Sequence, residues 1–133
     1  MTNDFPSDPG RHERGMKIRR TVLGDAHVDK AVAAQTPFDA DFQRFIVETA
    51  WAGVWARPGL DLRTRHLITI SILAALGRDH ELALHLRSIG NTGTTPDDVR
   101  EALLHVAAYA GIPAANSAVA QAKAIFDPPP RHD

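Results

Sequence analysis

Residues 61–77, DLRTRHLITISILAALG, decide the fold. An aspartate stands where a helix needs an N-cap and a glycine where it needs a left-handed stop, so the spacing predicts a helix from Leu62 to Leu76. Within it Leu67, Ile68, Ile70, Ile72, Leu73, Ala74, Ala75 and Leu76 leave no polar face. A helix that is apolar all round has to be covered on every side. The run 67–76 is too short to cross a bilayer, so the cover has to be protein. One small domain can hardly supply it, and the expectation is a homo-oligomer in which neighbouring subunits cover part of this helix. The alternative is that the helix is simply the centre of a bundle.

Outward from this segment the breakers fall at helical intervals, with no strand alternation and no repeat of 20–50 residues. Towards the N-terminus, 11–23 reads as a helix stopped by Gly24, and Asp25 opens a short one through Val28 and Val32. A third helix follows Thr36-Pro37, carries Phe38, Phe42, Phe45, Ile46, Thr49 and Trp51 on an apolar stripe, and ends before Arg57-Pro58-Gly59. Towards the C-terminus, Asp79 opens a fifth helix to Ile89, pairing with the fourth as a hairpin. Thr95-Pro96 opens a sixth to Tyr109, and Pro113 a seventh to about Phe126. The expected architecture is all-α: a single-domain bundle of about seven helices over 11–126, flanked by flexible segments at 1–10 and 127–133.

The length of 133 residues suits one domain, and 44% hydrophobic with 23% charged residues excludes a disordered chain. A net charge of -1 supplies no field for a polyanion, so neither nucleic acid nor an anionic membrane is an expected partner. Cysteine is absent, which removes disulfides, thiolate metal sites and thiol-based catalysis. The opening MTNDFPSDPGRHERG has no apolar core of a signal peptide, and a cytoplasmic protein is expected.

Three constellations could carry chemistry. Arg78, Glu81 and His85 stand at i, i+3 and i+7 on one helix face, where a carboxylate one turn from an imidazole would fix its tautomer and favour its protonated form. The plain alternative is a solvated Glu/His pair. Arg63, Arg65 and His66 crowd the start of the fourth helix beside Arg57, a local cationic cluster suited to gripping carboxylates, or else one paired with Asp61, Asp79 or Glu48. Small residues and Asn116 surround the start of the seventh helix, where N–H groups favour an anion; tight packing by alanines explains them equally. Trp51 and Trp55 lie one turn apart, with Trp51 read as core. His27, His80 and His105 lack a metal-ligating partner set, so no metal is expected. Glu48 is read as solvated.

Taken in order, GMKIRRTVLGDAHVDKA, TPFDADFQ, WARPGLDLRTRHLITI, ALGRDHELALHLR and AGIPAANSA resemble the gamma-carboxymuconolactone decarboxylase family over 15–126. The wider alkylhydroperoxidase-like superfamily carries a CxxCxxxH pattern on the corresponding helix. Here Arg78 and Glu81 fall where its cysteines would stand and His85 where its histidine would, which leaves the thiol-free branch. The resemblance implies a cofactor-free enzyme, typically a ring-shaped homohexamer. It would convert 4-carboxymuconolactone, a dicarboxylate lactone of protocatechuate catabolism in the beta-ketoadipate pathway, to 3-oxoadipate enol-lactone and carbon dioxide. On this reading His85 delivers a proton, Glu81 orients it, and Arg63 and Arg65 hold the carboxylate and the dienolate oxygen. Arg57, Arg78, Trp55 and Asn116 would line the substrate site. The competing reading is a relative without chemistry, serving as a small-anion binder or structural oligomer. His66 and His80 occupy positions where no fixed residue is expected.

Overall fold

The computed structural model describes residues 8–130, and the chain divides at Gly59/Leu60 into two compact units. In the first, α1 (Pro9–Leu23) is followed by α2 (Asp25–Ala33) and α3 (Ala40–Ile46), and α3 runs without a break into a π-helix, Val47–Trp55. Pro9 sits in the first turn of α1, where its missing N–H costs nothing. The helix therefore starts two residues ahead of the expected boundary, and the expected flexible segment reduces to residues that are mostly outside the described range. Gly24, at φ 90°, stops α1 as expected.

α1 packs against the π-helix through Gly15, where an added Cβ would lie 2.3 Å from the Val47 carbonyl oxygen. The Arg11 Nε donates to the Glu48 carbonyl at 2.7 Å and fastens the same pair of elements. Val22, Val28, Val47, Trp51 and Trp55 form the interior of this unit. The apolar stripe expected along the third helix is not buried: Phe38 is 98% exposed, in the turn before α3, and Phe42 and Phe45 are exposed on it. The winding explains the difference. At Val47 the bonding changes from i→i+4 to the wider i→i+5 turn, so the α-helical stripe does not continue on the side where the tryptophans meet α1.

The second unit contains α4 (Leu62–Leu76), α5 (Asp79–Arg87), a 3₁₀ turn (Ile89–Thr92), α6 (Pro96–Ala110) and α7 (Ile112–Phe126). Asp61 caps α4, its carboxylate accepting from the Thr64 N–H at 2.8 Å, and Gly77 closes it at φ 70°. Thr95 and Asp98 form a reciprocal capping box on α6. Helix α4 packs against α5, α6 and α7 around Ile70, Ala74, Leu82, Leu86, Val99, Leu103 and Ala118. Its apolar surface is only half covered, because Ile68, Ile72 and Leu76 remain exposed. Residues 127–130 follow α7 without regular structure, and 131–133 lie outside the described residues. Among the described residues there is no strand, and no helix is long and apolar enough to cross a membrane.

Candidate active site

The hairpin of α4 and α5 folds back at Gly77, so residues at comparable distances from that turn face each other. His66 of α4 and His85 of α5 meet in this way, with His66 Nε2 and His85 Nδ1 3.1 Å apart and the rings edge-to-face. His66 is 0% exposed and His85 is buried. On its other side His66 Nδ1 lies 2.7 Å from the Thr92 hydroxyl of the 3₁₀ turn, and Thr92 Oγ1 also meets Thr94 Oγ1 at 2.8 Å.

Donor and acceptor roles follow from Thr92. Its hydroxyl donates to the Ile89 carbonyl at 3.1 Å, leaving its lone pairs for the His66 Nδ1–H and the Thr94 hydroxyl. His66 Nε2 is then an acceptor, and it accepts the Nδ1–H of His85. Burial pushes the His66 pKa down to about 4, so a proton entering the pair is kept off His66. Both the neutral and the protonated form of His85 satisfy this bond, since each carries a hydrogen on Nδ1. Nε2 is then the ring nitrogen of His85 that does not face His66.

This corrects the role expected for Glu81. It is exposed and makes no hydrogen bond or ion pair among the described residues, and the neighbour that orients His85 is His66. Arg65 precedes His66 in sequence and is 9% exposed, a buried cation at the start of α4. Arg63 is committed elsewhere. Its Nε donates to Asp98 Oδ2 at 2.8 Å and its Nη2 to Asp98 Oδ1, tying the start of α4 to the start of α6. That guanidinium holds the Asp98 carboxyl far below the usual carboxylate range. The fork expected to grip a substrate is thus occupied by the protein itself.

Arg78 is exposed at the N-cap of α5. Asn116 is exposed and lines an apolar groove of about 500 Å³ between α6 and α7, which contains neither His85 nor Arg65. In the first unit Trp55 is buried and stacks on Trp51 at 5.2 Å, and Arg57 is exposed. Among the described residues there is no group of three or more His, Cys, Asp or Glu side chains placed to hold a metal ion.

A buried imidazole whose ring nitrogen is held by a second buried histidine is an arrangement suited to carrying a proton in a fixed direction. The profile of the carboxymuconolactone decarboxylase family matches residues 40–124. The chain belongs to this family. A 4-carboxymuconolactone decarboxylase of Acinetobacter baylyi is 45% identical over 120 residues, which is 90% of either chain. A nitrosuccinic acid decarboxylase of Metarhizium robertsii is 41% identical over 117 residues, covering 85% of this chain and 81% of its own. A 4-carboxymuconolactone decarboxylase of Pseudomonas putida matches over 40 residues at 45% identity, which is 83% of that sequence and 30% of this one. The family match spans α3 to α7, so the histidine pair and both arginines of α4 lie inside it.

The sequence marks His85 as a candidate but does not mark His66 as its partner. The signal was present: two histidines on opposite arms of a hairpin whose turn is marked by Gly77-Arg78. The i, i+4 spacing of Glu81 and His85 drew attention to one helix, whereas the contact is made between two.

Proposed function

We propose that this protein is a cofactor-free decarboxylase that converts 4-carboxymuconolactone to 3-oxoadipate enol-lactone and carbon dioxide, acting as a homo-oligomer, and specifically a hexamer, in the beta-ketoadipate pathway. The observation that carries this reading is the 45% identity to the Acinetobacter baylyi enzyme over 90% of both chains, joined to a buried proton-transfer pair in the matched region.

The substrate makes a cofactor unnecessary. Its departing carboxylate is attached to the γ carbon of an unsaturated lactone. When that C–C bond breaks, its electron pair moves through the ring double bond to the lactone carbonyl, carbon dioxide leaves, and a dienolate forms. Protonation at the α carbon then yields the enol-lactone. The protein has to place positive charge near the developing oxyanion, keep water from the leaving carboxylate, and supply one proton. We assign the charge to Arg65, the proton to Nε2 of His85, and the positioning of His85 to His66. Arg78, at the N-cap of α5, is assigned to the retained acetate arm.

The second relative supports the same class of chemistry, because nitrosuccinate also carries its own electron sink, a nitro group on the carbon beside a carboxyl. The test is to incubate the full-length protein with each acid in the presence of chelator and follow carbon dioxide release. Release from the lactone is expected, and in His85→Gln it falls by about 10²–10⁴-fold with little change in substrate affinity. Faster release from nitrosuccinate would replace the substrate assignment. Binding of the lactone with no carbon dioxide from either acid would reject the enzyme reading for a binding one.

A further inference from the structure

Two consecutive arginines of α1 have opposite surroundings. Arg20 reaches Asp25 at 3.0 Å and Asp29 at 2.8 Å, both on α2, and its charge is neutralised twice over. Arg19 is 9% exposed, its Nε is buried with no hydrogen-bond partner, and it enters no ion pair among the described residues. Burial and the neighbouring Arg20 both disfavour its charged form. A guanidinium does not respond by losing its proton near neutral pH, so the cost of burying it stands until an anion meets it.

Arg19 lines a partly open cavity of about 400 Å³ between α1, α2, α3 and the start of the π-helix, wholly within the first unit. The same walls carry Arg44 and His12 as further cationic or donor groups, and Gln35 and Gln43 as amide donors; Asp41 is the one carboxylate. Arg44 approaches Glu48 only at 4.0 Å. The rest of the lining is apolar. A mostly buried guanidinium with an unpartnered Nε, a cavity beside it, and donors from α1, α3 and the turn that joins α2 to α3 make a receptor for a small, planar oxyanion.

We propose that this cavity is a binding site for a small carboxylate anion, held in bidentate fashion by Arg19 with Arg44 as the second cation. The site shares no residue with the histidine pair of α4 and α5, and it does not depend on which acid that pair decarboxylates. Its chemistry is that of a compact oxyanion, for which a carboxylate and inorganic phosphate are the two sources to separate.

The experiment titrates the full-length protein with succinate and, in parallel, with inorganic phosphate, each against sodium chloride of equal ionic strength. Calorimetry reads binding and thermal unfolding reads stabilisation. Saturable succinate binding is expected, with a rise in Tm that chloride does not give. Arg19→Met should weaken the binding by about tenfold or more, and Arg44→Gln by a smaller factor. Without ligand, Arg19→Met should melt no lower than the parent, because it removes a buried charge that lacks a counter-ion. Tighter binding of phosphate than of succinate would overturn the carboxylate assignment. Full retention of succinate binding in both variants, no binding beyond chloride, or a large loss of unliganded Tm in Arg19→Met would overturn the site itself.

Discussion

At His66 a single ring sets the chemical direction of its neighbour. Because His66 is fully buried and pushed down to about 4, it stays an acceptor at neutral pH, and the proton on Nδ1 of His85 is fixed towards it. His66→Phe removes the acceptor and should lower kcat by about tenfold or more and alter the pH profile of kcat, whereas His66→Gln retains a carbonyl acceptor and should recover part of the loss. Equal pH profiles for all three proteins would reject the positioning role. The same depressed value has a consequence for stability. An unfolded histidine titrates near 6.5 and folded His66 near 4, so between those values the unfolded state binds the extra proton. His66 therefore contributes a loss of stability as pH falls from about 6.5 to about 4, because burial disfavours its protonated form. Urea titrations across that range should show a shallower decline in His66→Phe than in the parent. Gly15 makes a separate residue-scale point, since a methyl group there meets backbone, which cannot rotate away. Gly15→Ala is expected to cost about 1–3 kcal/mol by chemical denaturation, despite the higher helix propensity of alanine.

Among the elements, α4 and α6 are joined at their first turns by one carboxylate with two duties. Asp98 accepts the Thr95 N–H as part of the α6 cap and receives the Arg63 fork from α4. Its carboxyl is held well below its ordinary value, mainly by Arg63, so the stabilising contribution is present above about pH 4 and is lost as the pH falls towards the folded value. Asp98→Asn keeps an oxygen for the cap but loses the charge. Its Tm should lie below the parent at pH 7, and the gap should narrow on acidification below about pH 4; a gap independent of pH would mean that the ion pair contributes nothing. These elements also show what the sequence discloses. Asp61, Gly77 and Thr95-Pro96 each carry a backbone requirement that only certain residues meet, and α4 begins and ends, and α6 begins, at them. The π-helix leaves no such mark, because i→i+5 bonding demands no particular residue, and the exposure of the phenylalanines is hidden with it. At the site, the residue types were legible on single helices, but the His66–His85 contact and the Arg63–Asp98 pair depend on two helices meeting.

For the whole molecule, the half-covered surface of α4 bears on assembly. Ile68, Ile72 and Leu76 recur at i, i+4 and i+8 and form one exposed ridge, with Ile72 at 52% exposure, on the helix whose opposite side is the core of the second unit. Phe38, Phe42 and Phe45 add exposed aromatic surface in the first unit. Isolated apolar residues on a surface need no explanation, but a contiguous ridge on the central helix is costly to leave in water. Covering the exposed half of one such side chain contributes about 0.7–1.5 kcal/mol, and a symmetric contact counts every substitution once per subunit. The proposed homo-oligomer should therefore sediment at a multiple of the mass of one chain. Ile72→Glu places a carboxylate in the middle of the ridge and should shift the sedimentation profile towards single chains while leaving the far-ultraviolet helical signal intact, since the side chain takes no part in the monomer's core. A parent protein that sediments as one chain at micromolar concentration would reject this account of the ridge, and an Ile72→Glu oligomer as tight as the parent would move the interface to another face.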